Sequence, residues 1–263
     1  MSDLPQRRSL ASMTPARIAL GRTGVSLPLD AVLALQAAHA LARDAVHLPL
    51  NAAPLVEWLD AQGFKSLMAH SAAASREIYL RRPDLGRRLD ADSRAHLAQA
   101  QAHARATDLV IVVADGLSAA AVHRQARPFL ESFLPLAATC GWCLAPLVIA
   151  RQARVALGDD IADNLGARAV LVLIGERPGL SSPDSLGAYL TLNRAGAKTD
   201  ADRNCVSNIR PEGLSPQQAA GKVARLLAAA FQGGMTGVSL KDEDEPLLSS
   251  PNEAERGAIL LPP

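Results

Sequence analysis

The apolar run AVLVLI at residues 169–174 is the feature that most constrains the fold of this chain. Six consecutive residues rich in Val, Leu and Ile predict a strand covered on both faces, which is typical of a parallel sheet. The run ends in the turn sequence GERPG at residues 175–179. Ligands in open α/β sheets bind just beyond the carboxyl ends of the strands, so Glu176 and Arg177 follow the strand where such folds have their site. The alternative is a plain turn in which both side chains are solvated or paired with each other.

Two further apolar runs predict strands of the same sheet, at residues 108–114 and 146–150. The first ends in Asp115-Gly116, and Ser118 can cap the Ala-rich helix that follows. A strand, a glycine-containing turn and a helix form the βα unit of doubly wound folds, and the glycine lets N–H groups at the helix start face a polar ligand. No G-x-G-x-x-G sequence is present, so the dinucleotide fingerprint is absent. These features predict an α/β fold with a Rossmann-like parallel sheet flanked by helices.

The segments around the sheet predict four regions. Residues 1–14 form a flexible N-terminus, and residues 15–106 form a smaller, mostly helical region with helices at 28–46 and, interrupted near Gly63, at 54–74. Residues 107–235 form the Rossmann-like domain, which ends with a helix capped by a box of Ser215 and Gln218. Residues 236–263 become acidic and then Ser/Pro-rich, which predicts a disordered tail.

Composition excludes several classes of function. A formal net charge of +1 gives no reason to expect nucleic acid or an anionic membrane as a partner, and no apolar run is long enough to span a bilayer. Residues 1–14 lack the apolar segment of a secretory signal. The odd number of cysteines, three, argues against a disulfide framework and fits a reducing cytosol. Cys140 and Cys143 form a single C-x-x-C without a second ligand pair, so packing is expected there rather than a zinc site.

The sequence shows no catalytic constellation for hydrolysis. Asp115 and Glu176 could form a carboxylate pair at adjacent strand ends, but acid–base catalysis also needs a base that titrates near neutral pH. None of the six histidines directly follows a buried strand. No catalytic residue and no metal ligand is therefore assigned.

Several segments resemble the small subunit of ethanolamine ammonia-lyase, an adenosylcobalamin-dependent enzyme. They are RIALGRTG at residues 17–24, YLRRPDLGRRL at 79–89, GERPGL at 175–180, DSL-x-x-Y at 184–189 and DRNCVSNI at 202–209. The resemblance covers residues 17–230, and it implies deamination of ethanolamine to acetaldehyde and ammonia. In the family the large subunit holds the substrate, and the small subunit completes the cobalamin pocket with a Rossmann-like domain.

The resemblance places the cofactor contacts on Val155, Glu176 and Cys205. Corrin carries peripheral amides, so the Glu176 carboxylate can accept their hydrogen bonds, whereas Val155 and Cys205 would act mainly through backbone groups and packing. A role for Cys205 as a cobalt or metal ligand is the rival interpretation. The motif D-x-H-x-x-G, with which a protein histidine replaces the lower cobalt ligand, is absent. Adenosylcobalamin is therefore expected to bind base-on, with its own dimethylbenzimidazole.

The resemblance also implies a hetero-oligomer with the large subunit, in the cytoplasm. The arginine-rich turn at residues 81–88 would be a solvated face in most proteins, and the resemblance favours a subunit contact. Family members enclosed in bacterial microcompartments often carry a longer N-terminal extension than the segment before Thr14, so enclosure stays open. Two alternatives remain: a self-sufficient α/β enzyme that uses a nucleotide at the ends of the strands, and a purely structural partner subunit.

Overall fold

The computed structural model describes residues 16–18, 20–101, 106–194, 196 and 198–241. The predicted flexible N-terminus and most of the predicted tail lie outside these residues. Within them, none of the helices combines the length and the apolar character that crossing a bilayer requires.

One six-stranded sheet organises the chain. Its strands are β1 Ser66–His70, β2 Thr107–Ala114, β3 Leu147–Arg151, β4 Ala167–Gly175, β5 Leu186–Leu192 and β6 Asn204–Ile209. They lie in the order β1-β3-β2-β4-β5-β6; the first four are parallel, and β5 is antiparallel to both of its neighbours. The three predicted strands are confirmed as β2, β3 and β4, but the prediction of a wholly parallel sheet is wrong. Residues 176–185 join β4 to β5 without the crossover helix that a parallel connection needs.

The helices are α1 Leu29–His47, α2 Ala53–Ala61, α3 Arg76–Arg81, α4 Ala91–Gln101, α5 Ala119–Ala121, α6 Arg127–Thr139, α7 Leu157–Leu165 and α8 Pro216–Gly233. A π-helical turn, Val122–Ala126, joins α5 to α6. The predicted caps are confirmed: the Ser118 hydroxyl accepts the Ala121 N–H at 3.2 Å, and Ser215 and Gln218 form a capping box at α8.

The second predicted helix needs a correction. Helix α2 ends at Ala61, Gly63 adopts a left-handed φ of +78°, and the chain then enters strand β1 at the edge of the sheet. A short segment such as SLMAH fits a helix or a strand by periodicity, and only pairing with β3 decides between them. The sheet therefore extends into the region predicted to be mostly helical, while the domain division itself stays a prediction.

The predicted tail does not begin at Thr236 as a disordered segment. Gly237–Ser239 forms a 3-10 turn, and the Gly237 N–H donates to the Asn204 Oδ1 at 2.8 Å. The Asn204 amide in turn donates to the carbonyl of Leu240 at 3.0 Å. Residues 236–241 are thus attached to β6.

The two faces of the sheet are covered differently. On the first face, α2, α5, α6 and α8 pack over residues from every strand from β2 to β6. On the second face, α7 and Leu97 of α4 pack over β2, β3 and β4, and Tyr189 is the residue of β5 that joins this cluster. Tyr189 stays half-buried and Cys205 is exposed, so the second face of β5 and β6 is more open than the first.

Candidate functional site

Glu176 follows β4 at the carboxyl edge of the sheet, and its side chain is fixed through one oxygen. The Glu176 Oε2 accepts the Ser185 hydroxyl at 2.5 Å and the Asn208 N–H at 3.3 Å. Its backbone N–H donates to the Ser185 carbonyl at 3.0 Å. Among the described residues no donor reaches Oε1. The carboxylate is therefore held in place and keeps one oxygen free to accept a hydrogen bond.

An irregularity between β5 and β6 supplies the Asn208 donor. The pairing register shifts between Leu186 and Ala188, and Asn208 adopts a φ of +57°. A β-bulge turns a backbone group out of the ladder and is often found beside functional sites. Here the Asn208 N–H points to Glu176 instead of across the strand pair.

Gly187 and Tyr189 lie next to this carboxylate on the same side of β5. A Cβ added to Gly187 would lie 3.1 Å from the Glu176 Oε1 and 3.0 Å from the Tyr189 ring. Tyr189 is directly opposite Cys205 on β6. We call Glu176, Ser185, Gly187, Tyr189, Cys205 and Asn208 the Glu176 cluster. It brings together two of the three predicted cofactor contacts.

The chemistry of this cluster is that of neutral groups around one carboxylate. Burial raises the pKa of the Tyr189 hydroxyl, and the neighbouring Cys205 adds to this effect. Partial burial of the sulfur raises the pKa of the Cys205 thiol, the neighbouring Tyr189 hydroxyl opposes this shift and the Glu176 carboxylate adds to it. A protonated thiol is a poor metal ligand. No group of three or more potential metal ligands occurs in the part of the chain that the structure describes.

Val155 lies in the loop between β3 and α7. Its side chain packs against the apolar cluster of the second face, as Tyr189 does. Helix α7 begins without a side-chain cap, and the N–H groups of Val155 and Ala156 donate to no described residue. Such N–H groups at a helix start suit a polar acceptor. All three predicted contacts therefore lie on the second face of the sheet, toward the edge where Glu176 follows β4.

Asp115, the other candidate carboxylate, has a different role. It is 4% exposed and accepts the N–H groups of Gln152 at 2.9 Å and Ala153 at 3.0 Å. Arg76 lies 3.6 Å from the same carboxylate. Burial raises the pKa of the Asp115 carboxyl, whereas the two backbone donors and Arg76 act in the opposite direction. Asp115 thus holds the loop that carries Val155, and both of its oxygens are engaged within the chain.

The turns that follow β2 and β4 are in direct backbone contact. The Leu117 N–H donates to the Gly175 carbonyl at 2.9 Å, and the Ser118 hydroxyl donates to the Pro183 carbonyl at 2.7 Å. A Cβ on Gly175 would lie only 2.0 Å from the Ser118 carbonyl oxygen. A Cβ on Gly116 would lie 2.2 Å from the Gly175 carbonyl oxygen. The crevice that would hold a nucleotide between these two strand ends is closed.

The arginine-rich turn adjoins the Val155 loop. The Arg154 N–H donates to the Gly86 carbonyl at 2.8 Å, and a Cβ on Gly86 would press against Arg154 and the Tyr79 ring. Arg76 and Arg154 both lie over this ring, at 4.7 and 4.3 Å from its centroid.

The exposed arginines of this turn fall into two pairs. Arg81 and Arg82 form ion pairs with Glu77 and Asp84. The exposed side chains of Arg87 and Arg88 have no hydrogen bond or ion pair with any residue that the structure describes. The turn therefore presents two free cations beside the Val155 loop.

The C-x-x-C pair lies at the opposite edge of the sheet. The Cys143 carbonyl accepts the N–H groups of Asp108 and Leu109 at the start of β2. Cys140 and Cys143 are exposed free thiols, so the prediction that they pack is wrong. The turn after α6 ends at the surface, which the short spacing could not indicate.

Known proteins are similar in sequence to this chain over nearly its whole length. The sequence model of the ethanolamine ammonia-lyase light chain family matches residues 5–241. The chain belongs to this family. It is 54% identical to ethanolamine ammonia-lyase small subunits of Xanthomonas campestris pv. campestris and Pseudomonas putida, over 96% of this chain and 94% of each relative. The small subunit of Ralstonia nicotianae is 53% identical, over 97% of this chain and 93% of the relative. The recognition made from the short sequence motifs is therefore confirmed.

Sequence reasoning assigned no role to Ser185, Gly187, Tyr189 and Asn208. The motif DSL-x-x-Y contains Ser185 and Tyr189, and the motif DRNCVSNI contains Asn208, but neither motif shows which way a side chain or N–H group faces. The contacts of Gly187 and Asn208 with Glu176 follow only from the β5–β6 register and its bulge. The cluster could thus be located, but not assembled, from the sequence.

Proposed function

We propose that this chain is the small subunit of an adenosylcobalamin-dependent ethanolamine ammonia-lyase. Together with a large subunit it would deaminate ethanolamine to acetaldehyde and ammonia, which makes the complex a carbon–nitrogen lyase. Family membership supports a larger partner, because the relatives are small subunits of the enzyme. One observation carries the cofactor role: the fixed Glu176 carboxylate keeps Oε1 free above the bare backbone of Gly187.

The residues of the Glu176 cluster and the Val155 loop fit the periphery of a corrin. Corrin side chains are carboxamides, which both donate and accept hydrogen bonds. The Glu176 Oε1 is a charged acceptor for an amide N–H, and the free N–H groups of Val155 and Ala156 can donate to an amide carbonyl. Cys205 adds a thiol opposite Tyr189, on the β6 side of Glu176. The combination matches an amide-fringed ligand better than a phosphate, which would prefer cations.

The role of this chain is binding and orientation. When bound, adenosylcobalamin supplies radical chemistry through homolysis of its cobalt–carbon bond, while the protein positions it and excludes water. The Glu176 cluster contains no histidine, which agrees with base-on binding. No residue of this chain is proposed to touch the substrate, which the large subunit would hold.

The openness of the second face supports a site shared with the large subunit. Tyr189 and Cys205 are accessible in the isolated chain, and Arg87 and Arg88, beside the Val155 loop, have no ion-pair partner among the residues with a described position. A large subunit that covers this edge would bury the cofactor between the two chains and pair the two arginines. The cytoplasmic location and any enclosure in a microcompartment stay predictions.

The two alternatives find less support. A self-sufficient enzyme that binds a nucleotide at the strand ends conflicts with the backbone contact between Gly175 and Ser118. A purely structural role of the subunit would not explain why the Glu176 carboxylate is fixed through one oxygen while the other stays free.

Reconstitution tests the proposal. The purified chain should show no turnover of ethanolamine with adenosylcobalamin and should become active when the large subunit is added. Turnover by this chain alone would overturn the shared site. Equal cofactor affinity of the large subunit alone and of the complex would favour the structural alternative.

A further inference from the structure

We infer that the ion pair between the buried Arg203 and Asp159 positions the two halves of the proposed cofactor contact, the Val155 loop and strand β6, relative to each other. The inference rests on the proposed function. It makes both members of the pair positioning residues, which act through Val155 and Cys205 and do not touch the cofactor themselves.

The Arg203 side chain is 3% exposed and binds Asp159 through two hydrogen bonds. Its Nη1 donates to the Asp159 Oδ1 at 2.7 Å, and its Nη2 donates to the Oδ2 at 2.6 Å. The Nη1 also donates to the Thr191 hydroxyl oxygen of β5 at 3.1 Å. An arginine that holds both oxygens of a carboxylate forms a strong pair of fixed geometry. The pair therefore fixes the distance between the chain segments that carry its two members.

Arg203 reaches α7 from the strand that carries Cys205. The two residues are two positions apart in extended backbone, so their side chains point to the same face of the sheet. Thr191 and Tyr189 of β5 share a face for the same reason. Arg203 thus extends over the second face to Asp159, in the first turn of α7. One end of the ion pair is therefore attached to the backbone next to Cys205.

Asp159 is connected to the Val155 loop by the first turn of α7. The Gly158 N–H donates to the Val155 carbonyl at 3.0 Å, and the Asp159 N–H donates to the Ala156 carbonyl at 3.2 Å. The N–H groups of Val155 and Ala156, which donate to no described residue, therefore have fixed positions relative to Asp159. The ion pair joins these N–H groups to β6.

A second ion pair holds α7 from another side. Asp160, the next residue of α7, accepts the Arg94 guanidinium of α4 at 2.8 Å. Helix α4 contacts β1, at the edge of the sheet opposite β6. Successive helical residues lie about 100° apart around the axis, so the two neighbouring carboxylates bind partners on different sides of α7. Asp160 therefore holds α7 without reaching β6, which makes it a matched control for Asp159.

The first test compares Asp159→Asn with Asp160→Asn in the complex with the large subunit. Each change removes one charge from the first turn of α7 and weakens one ion pair with an arginine. Affinity for adenosylcobalamin and for cyanocobalamin is measured by absorbance titration. Asp159→Asn should weaken both about tenfold, which corresponds to about 1.4 kcal/mol, whereas Asp160→Asn should bind both like the wild type. Equal affinities of the two variants would overturn the inference.

Arg203→Lys keeps the test possible if Asp159→Asn does not fold. Lysine retains the charge beside Asp159, but its single ammonium group cannot hold both carboxylate oxygens and Thr191 in the geometry of the planar guanidinium. Cobalamin affinity of the complex should again fall. Wild-type affinity in Arg203→Lys, whatever its stability, would contradict a positioning role.

Amide hydrogen exchange provides a readout that a merely structural ion pair would not change. In the wild-type complex and in Asp160→Asn, saturating cyanocobalamin should slow exchange in the peptide of residues 153–158, because the ligand would accept from the free N–H groups. In Asp159→Asn this protection should be smaller, while peptides of α8, on the first face, should exchange as in the wild type. Equal protection in the two variants would overturn the inference.

The two proposals fail in different ways. If the wild-type complex binds neither cobalamin, the proposed function itself is wrong. If it binds both and Asp159→Asn binds them as tightly as Asp160→Asn does, the function stands and the positioning role of the ion pair does not.

Discussion

The carboxyl ends of β2 and β4 carry the same kind of residue and use it differently. Each apolar strand runs into a turn with an acidic residue next to a glycine, Asp115-Gly116 and Gly175-Glu176. Both oxygens of Asp115 accept backbone N–H groups of the chain, and Arg76 lies beside it. Glu176 uses one oxygen for the chain and keeps the other free. The first carboxylate holds a loop through both oxygens, and the second has one oxygen without a hydrogen-bond donor among the described residues.

Asp115 and Glu176 differ because different parts of the chain cover the ends of β2 and β4. Asp115 lies under the Val155 loop and Arg76, so burial forces every acceptor to find a partner inside the chain. Glu176 lies beside the open second face of β5 and β6, where no such requirement exists. A free acceptor at the border of an open face is therefore a better sign of a binding site than an acidic residue at the end of a strand.

The largest expected effect is on stability, from Asp115→Ala. The change leaves two N–H groups and the buried Arg76 without their partner, and breaking a buried charge pair costs about 3–5 kcal/mol. Urea denaturation of the isolated subunit should show a loss of this order. If the free energy of unfolding falls by less than about 1 kcal/mol, Asp115 contributes no more to stability than Glu176, and the two carboxylates do not differ in role.

The next effect concerns the arginines on the same edge. Arg87→Glu with Arg88→Glu should weaken assembly with the large subunit by at least about tenfold, because like charges facing a complementary surface cost several kcal/mol. Stability of the isolated subunit should change by less than about 0.5 kcal/mol, as is usual for exposed side chains. Arg81→Glu with Arg82→Glu is the matched control, since it makes the same charge change on arginines already paired within the chain. Equal loss of co-purification in both variants would assign the effect to net charge alone.

A smaller effect is expected from Glu176→Gln, which keeps the shape and removes the charge. A hydrogen bond to a charged group contributes about 1.5–3 kcal/mol and a neutral one about 1, so cobalamin affinity of the complex should fall roughly three- to thirtyfold. Stability should fall by about 1 kcal/mol or less, because Ser185 and Asn208 keep an acceptor. Glu131→Gln, on α6 of the first face, is the control. A large loss of stability with unchanged cobalamin affinity would mean that Glu176, like Asp115, has a structural role.

The smallest effect is a shift in the pH profile of Cys205. Burial and the Glu176 carboxylate raise the thiol pKa above the ordinary value of 9.0, and only the thiolate reacts with iodoacetamide. The alkylation rate of the isolated subunit should therefore still be rising above pH 9. In Glu176→Gln the profile should move to lower pH, whereas Asp115→Asn should leave it in place. An unchanged pH profile in Glu176→Gln would show that the Glu176 carboxylate does not influence the pKa of the Cys205 thiol.

The sequence by itself determined the family and the three strands β2, β3 and β4. Apolar runs without alternation predict buried strands whatever surrounds them, and short motifs around Glu176 and Cys205 identify the family because their residue types are local. The helix caps at Ser118 and Ser215 are local for the same reason, since the capping contacts span three residues.

Tertiary structure decided what the sequence could not, since each such feature depends on residues far apart in the chain. The strand at residues 66–70 exists because β3 pairs with it, and β5 is antiparallel because residues 176–185 are too short for a crossover. The partners of Asp115 lie 37 and 38 residues away, and Asn208 reaches Glu176 across 32 residues through a bulge. The strand register, the direction of the side chains and their burial decide that Asp115 has its hydrogen-bond partners within the chain and that Glu176 keeps one oxygen free. A residue and its near neighbours in the sequence do not encode these three properties.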